Sequence, residues 1–139
     1  MRIFLDSDVV ISSLLSSSGA AYLLINEVQI TPVISSISFR ELHIMVRRMG
    51  IDQRKFESLI DDRFEIIKVA QTLNKLKLDY ADYVTDINDT HIIAGARLAK
   101  VKFLISYNLK HFKTELIKNS LDILVLTPAL LLQYLKSQK

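Results

Sequence analysis

The chain has 139 residues, half of them hydrophobic, with Lys and Arg outnumbering Asp and Glu by three and with no cysteine. This length fits one domain, here residues 1–139, with a real core, and the composition excludes a disordered chain. Disulfides and thiolate metal sites are excluded too, which suits a reducing compartment.

The opening MRIFLDSD meets a carboxylate at residue 6, too early for the apolar stretch of a signal peptide. No apolar run approaches the roughly 18 residues of a membrane span. The expectation is a soluble, cytoplasmic protein with no membrane partner. The mild positive charge permits nucleic-acid binding without demanding it.

Arg2-Ile3-Phe4-Leu5 reads as a short buried strand, stopped by Asp6-Ser7-Asp8. Val9 to Leu15 continues as a helix that Asp6 or Ser7 can cap, and Ser16-Ser17-Ser18-Gly19 breaks it. Ala20 to Val28 is helical again. Ile30 to Ile34 reads as a second strand, ended by Ser35-Ser36. Phe39, Leu42, Met45, Val46 and Met49 recur at helical spacing, with Gly50 closing the helix. Residues 52–62 form a polar helix with Phe56, Leu59 and Ile60 on one face. Phe64 to Val69 is a third strand. Asp86 to Lys100 is a helix burying Ile92, Ile93, Ala96 and Ala99. Phe103-Leu104-Ile105 and Ile123 to Leu126 are the fourth and fifth strands, and Pro128 starts a last helix through Leu135. Strands alternating with helices predict a three-layer α/β/α sandwich around a mostly parallel sheet of about five strands. None of the three glycines forms a phosphate-cradling loop.

In such a sheet ligands gather beyond the carboxyl ends of the strands. Asp6 and Asp8 follow the first strand, Ser35 and Ser36 the second, and Asn108 the fourth, while Asp86 and Asp89 open a helix aimed at the same edge. Each acid also has a purely structural account. Asp6 can cap a helix, Asp86 with Asp89 resembles a capping pair, Asp8 suits a first helical turn, and Glu41 flanks its helix's apolar stripe. Together they are harder to dismiss, because carboxylates crowded on one edge repel one another. A divalent cation removes that penalty, and oxygen ligands without Cys or a His pair favour Mg²⁺ or Mn²⁺ over zinc.

Arg2 to Ser12, reading RIFLDSDVVIS, resembles the opening of a PIN domain, in which a hydrophobic strand ends in Asp, then a small residue, then usually Asn. The following LLSSSGA resembles the branch that supplies the toxin components of bacterial and archaeal toxin–antitoxin pairs. Phe39-Arg40-Glu41-Leu42 is similar to the family's second motif, Asp86 to Ala94 to its third, and Leu104 to Phe112 to its fourth. The four fall in order from residue 2 to about 112. The resemblance implies a metal-dependent endoribonuclease with Asp6, Glu41 and Asp89 holding the metal. Asn108 stands at the fourth acidic position; its amide carries no charge but can hydrogen-bond a water at the metal. Asp8 departs the other way, an acid where Asn is usual, and with Asp86 can make up the lost charge. Ser106 can bond Asp6 or a phosphate. Arg40 and Lys110, with Arg47, Arg48, Arg97 and Lys113, are candidates to guide RNA, although solvated helix faces account for most of them. His91 and His111 read as surface or packing residues. The resemblance further implies a small antitoxin partner and allows a homodimer.

Two other readings stay open. Asp6-Ser7-Asp8-Val9-Val10 also resembles the D-x-D motif of haloacid-dehalogenase-type phosphatases, with Ser35 as a second motif, although no Lys has a clear place. A decayed site that only binds RNA or protein is the other.

Overall fold

The computed structural model describes residues 1–27 and 29–138. Strand β1 spans Arg2–Leu5 and leads into helix α1, Ser7–Leu15, and then α2, Ala20–Ile25. The helix expected to run to Val28 stops at Ile25, where Asn26 is already the C-cap and its amide turns back to the Tyr22 and Leu24 carbonyls; Val28 itself lies outside the described residues. Strand β2, Thr31–Ser35, is followed by α3, Ser36–Arg48, and α4, Gln53–Arg63. Strand β3 is only Glu65–Ile67, shorter than its apolar run suggests. Next come α5, Leu73–Tyr80, and α6, Thr90–Leu98, separated by two 3₁₀ turns. Strand β4, Phe103–Ile105, then α7, Thr114–Leu121, β5, Leu124–Leu126, and α8, Pro128–Ser137, complete the described chain.

All pairings are parallel, in the order β3-β2-β1-β4-β5. Alternation along the strands divides the core in two. Ile3, Leu5, Ile34, Phe103 and Ile105 face α1, α2, α4 and α8, around Leu14, Leu24, Phe56 and Leu131. Phe4, Val33, Leu104 and Val125 face the other way, onto Leu76 of α5, Ile92, Ile93 and Ala96 of α6, and Ile117 of α7. The three-layer sandwich expected from the sequence is the observed fold. Among the described residues no helix is long and apolar enough to cross a membrane.

Two local features set the helices that matter for function. Gly50, with φ at +68°, ends α3 in the left-handed conformation, and the amides of Gly50 and Ile51 turn back to the Arg47 and Val46 carbonyls. This is the glycine closure expected from the sequence. Gly95 lets α6 lie hard against the sheet, because a Cβ there would come within 2.6 Å of the Phe4 ring and 3.3 Å of Ser35 Cβ.

The strand order reverses direction between β1 and β4. From β1 the chain moves outward to β2 and β3, then returns to lay β4 on the other side of β1. Loops leaving β1 and β4 therefore run to opposite faces and leave a crevice between them, the usual binding place in open parallel sheets.

Candidate functional site

The last rung between β1 and β4 is the Asp6 amide donating to the Ile105 carbonyl at 2.9 Å. The chain then turns directly into α1, so Asp6 and Asp8 hang over the crevice. Ser106, fully buried, leaves β4 on the other side. Its hydroxyl donates to Asp6 Oδ2 at 2.9 Å and accepts from the Asn108 amide at 3.0 Å, while Ser7 N donates to Asp6 Oδ1 at 2.8 Å. Asp6 is thus held by both oxygens, one as helix cap and one across the crevice.

Asp8 is tied to the β4 loop as well. Its Oδ2 accepts from the Tyr107 amide and from Asn108 Nδ2, each at 3.0 Å. Its Oδ1 is buried with no hydrogen-bond partner among the described residues. Burial, and next the neighbouring Asp6 charge, push the Asp8 carboxyl up to about 6, against the pull of the Tyr107 amide. Burial also raises Asp6, against the opposing bonds from Ser106 and Ser7.

The third acid arrives from α6. Thr85 N donates to the His111 carbonyl at 3.0 Å and Lys113 N to the Tyr83 carbonyl at 2.9 Å. With an antiparallel bridge between Val84 and Phe112, these bonds sew the segment before Asp86 to the segment after Asn108. Asp86 Oδ1 caps a 3₁₀ turn at Ile87–Asp89 by accepting from Asn88 N at 2.9 Å, so the capping account holds for Asp86. It fails for Asp89, whose side chain makes no cap bond. Instead, burial and then the charge of Asp6 raise the Asp89 carboxyl, while His111 lowers it from 3.5 Å away.

Glu41 sits half-exposed on α3, as its place beside the apolar stripe implies, with Oε1 3.1 Å from His91 Nε2. His91 is buried, and its Nδ1 has no hydrogen-bond partner among the described residues. Sequence reading gave neither His91 nor His111 a place at the site. The available signal was their position, two residues after Asp89 and three after Asn108.

Other candidates lie elsewhere. Ser35 is fully buried, its hydroxyl accepting from Ser38 N at 3.0 Å, and the Ser36 hydroxyl accepts from Val69 N at 3.1 Å. Both serve the backbone. Arg97 lines a cleft with Lys100 and Lys102 before the amino end of β4, at the far edge of the sheet from the acids. Arg40 and Lys110 are exposed, and neither forms an ion pair among the described residues.

The sequence matches the PIN domain over residues 2–110, most of its length. The chain belongs to the PIN-domain family. No curated protein matches it. Solved structures share its fold. A toxin–antitoxin complex from Klebsiella pneumoniae superposes with a TM-score of 0.64 at 23% identity, covering 91% of this chain and 97% of that one. VapBC2 from Rickettsia felis, bound to a DNA fragment from its promoter, gives 0.61 at 19% identity, covering 91% and 98%. FitAcB from Neisseria gonorrhoeae gives 0.57 at 18% identity, with the same coverage.

Among the described residues of this PIN domain, no three His, Cys, Asp or Glu side chains converge closely enough to form a ready-made metal cage. The donors still suit a hard cation. They are all oxygens, three of them share an electrostatic cost that positive charge relieves, and Asp8 Oδ1 is an orphaned buried acceptor. Mg²⁺ needs no complete protein cage, since it retains waters and uses one or two carboxylates plus substrate phosphate.

Proposed function

We propose that this PIN domain is a metal-dependent endoribonuclease, hydrolysing RNA phosphodiester bonds as the toxin component of a type II toxin–antitoxin pair. The observation that carries this reading is that Asp6, Asp8 and Asp89 flank the β1/β4 crevice, where burial raises all three carboxyls and the Asp6 charge raises the other two further. Holding like charges together in a partly desolvated place costs stability, and a bound cation offsets that cost.

In this reading Asp6, Glu41 and Asp89 hold Mg²⁺ or Mn²⁺. When bound, the cation supplies charge to the phosphate and acidity to a water. Ser106 and Ser7 fix the rotamer of Asp6, so its oxygens stay aimed into the crevice. Asn108, through Asp8, keeps the β4 loop closed over the acids. His91 steadies Glu41 from the buried side. Asp86 adds charge at the rim and braces the turn that presents Asp89. Arg40 and Lys110 attract the strand. The phosphatase alternative loses support, because its Ser35 is buried as a helix cap.

The fold-level likeness to toxin–antitoxin structures supports a small antitoxin protein as partner, and a cytoplasmic location is part of this proposal. A homodimer belongs to the same proposal, and sedimentation over a concentration series that shows only monomer would remove it. The deciding experiment is cleavage of a labelled single-stranded RNA pool with Mg²⁺ or Mn²⁺. Loss of cleavage with EDTA, with Asp6→Asn and with Asp89→Asn supports the nuclease. A folded, metal-supplied protein that cuts nothing sinks it in favour of a binding module.

A further inference from the structure

Beside the acids, the loop after β4 forms a second wall, of which the catalytic reading uses only Asn108 and the charge of Lys110. Tyr107, Asn108, Leu109, Lys110, His111 and Thr127 line a cleft of about 430 Å³. Both ends of this loop are fastened to the acidic site. Asn108 donates to Asp8 at one end, and His111 Nδ1 lies 3.5 Å from Asp89 Oδ2 at the other. The cleft therefore adjoins the acids, within reach of a strand whose phosphate meets them.

The lining has the chemistry of a nucleotide site. Tyr107 leaves 42% of its surface to water and belongs to none of the ring pairs among the described residues. It is an aromatic face without a partner, anchored through its own backbone amide to Asp8. Bases stack on such faces with little regard for sequence. Lys110 is exposed and has no carboxylate partner among the described residues, so its charge is available to a phosphate. His111 and the Thr127 hydroxyl add polar edges. The bland account, an exposed loop residue, explains the exposure of Tyr107, but not why an aromatic, a free cation and a histidine share one cleft tied to both acids.

We propose that this cleft is the subsite for the nucleotide flanking the bond to be cut, with Tyr107 stacking on its base and Lys110 holding its phosphate. The proposal rests on the nuclease reading, and the two can fail separately. Binding is measured by fluorescence anisotropy in a Glu41→Gln background, with a short single-stranded RNA and with DNA of the same sequence. Tyr107→Ala is expected to weaken binding about tenfold and Tyr107→Phe to leave it unchanged, as stacking requires. An abasic nucleotide at one position should reproduce the loss in the parent and cost nothing further in Tyr107→Ala. Stacking does not read the 2′-hydroxyl, so RNA and DNA should lose affinity by the same factor.

Equal binding by Tyr107→Ala, or an abasic scan without a sensitive position, overturns the subsite even where the wild-type protein cleaves RNA. A loss confined to RNA overturns the stacking role. A parent that binds neither strand overturns the subsite as well, and the cleavage assay then reports on the nuclease separately. Tyr107 is exposed, and alanine or phenylalanine there keeps the backbone N–H that donates to Asp8, so the variants should melt with the parent.

Discussion

Asp8 and Asn108 occupy each other's expected chemistry. The family pattern puts an amide after the first strand and an acid after the fourth, and this chain has the acid first and the amide second. The two side chains meet at 3.0 Å, so the pair keeps one carboxylate and one amide. The sequence made both departures visible, but not their contact, because a hundred positions separate the residues. Exchanging them should test whether they act as one unit. Asp8→Asn is expected to lower cleavage about tenfold, the scale of a coupled polar pair. Asn108→Asp should do likewise by setting two carboxylates against each other. The double variant should recover to within about threefold of wild type, and additive losses in kcat/KM would show the positions to be independent. The same carboxylate predicts a pH dependence. The Asp8 pKa rises from 3.8 to about 6, so between those values the folded protein holds a proton that the unfolded chain has lost. Stability of the metal-free protein therefore falls as pH climbs through that window, with the full cost present above it. One such group sets a ceiling of about 3 kcal/mol, lowered by its partial contact with water. Asp6 and Asp89 act with the same sign. Mn²⁺ should raise the melting temperature at pH 7.5 and do little at pH 4.5. Equal effects at both would argue against cation binding by these acids.

Elements were legible where the core supplied a pattern. The buried faces of β1 and β4, and Ile92, Ile93 and Ala96 on α6 with Ala99 at its C-cap, announce themselves as apolar runs or helical spacing. Helices α5 and α7 were not anticipated. Only Leu76 and Tyr80 are buried in the first and Ile117 in the second, while Leu73 and Leu78 of α5 face solvent. One or two anchors over eight residues leave no stripe to read. The helix expected from Asp86 instead begins at Thr90, after a 3₁₀ turn capped by Asp86. That turn presents Asp89 free of capping duty. The position of α6 depends on Gly95, and two effects compete there. Alanine is favoured over glycine inside a helix by about 1 kcal/mol. Yet the added methyl would lie 2.6 Å from the fully buried Phe4 ring, and overpacking costs about 1–3 kcal/mol. The clash should win, because Phe4 is packed between β1 and α6 with no space to retreat. Gly95→Ala is therefore expected to unfold at lower denaturant concentration with an unchanged m-value. A higher midpoint would show that the sheet and helix can part without penalty. Because α6 carries His91 and has Asp89 at its N-cap, activity should fall along with stability.

At the scale of the molecule, the strand order chooses the site and the charge distribution decides what can approach it. Alternating strands and helices made the parallel sandwich readable, but the order β3-β2-β1-β4-β5 was not written in any local pattern. It places the first and fourth strands side by side, and so brings residues 6 and 8 beside 106–108. The same arrangement leaves Arg97, Lys100 and Lys102 at the amino edge, remote from the acids. The net charge of +3 is thus not concentrated at the crevice. Of the candidate RNA-guiding cations, Arg40 adjoins Glu41 and Lys110 adjoins the Asn108 loop, so few phosphates can be neutralised near the cut. Each contact to a single strand contributes about −0.7 to the slope of log affinity against log salt. Two contacts predict a slope of about −1.4, against the much steeper dependence of a protein with a broad basic face. Measured as kcat/KM for single-stranded RNA over a KCl series at fixed Mg²⁺, the wild-type slope should be shallow. Lys110→Gln should flatten it by about 0.7, and Arg97→Gln should leave it unchanged. A steep slope that Arg97→Gln relieves would mean that the strand wraps to the amino edge, and that recognition extends well beyond the acidic crevice.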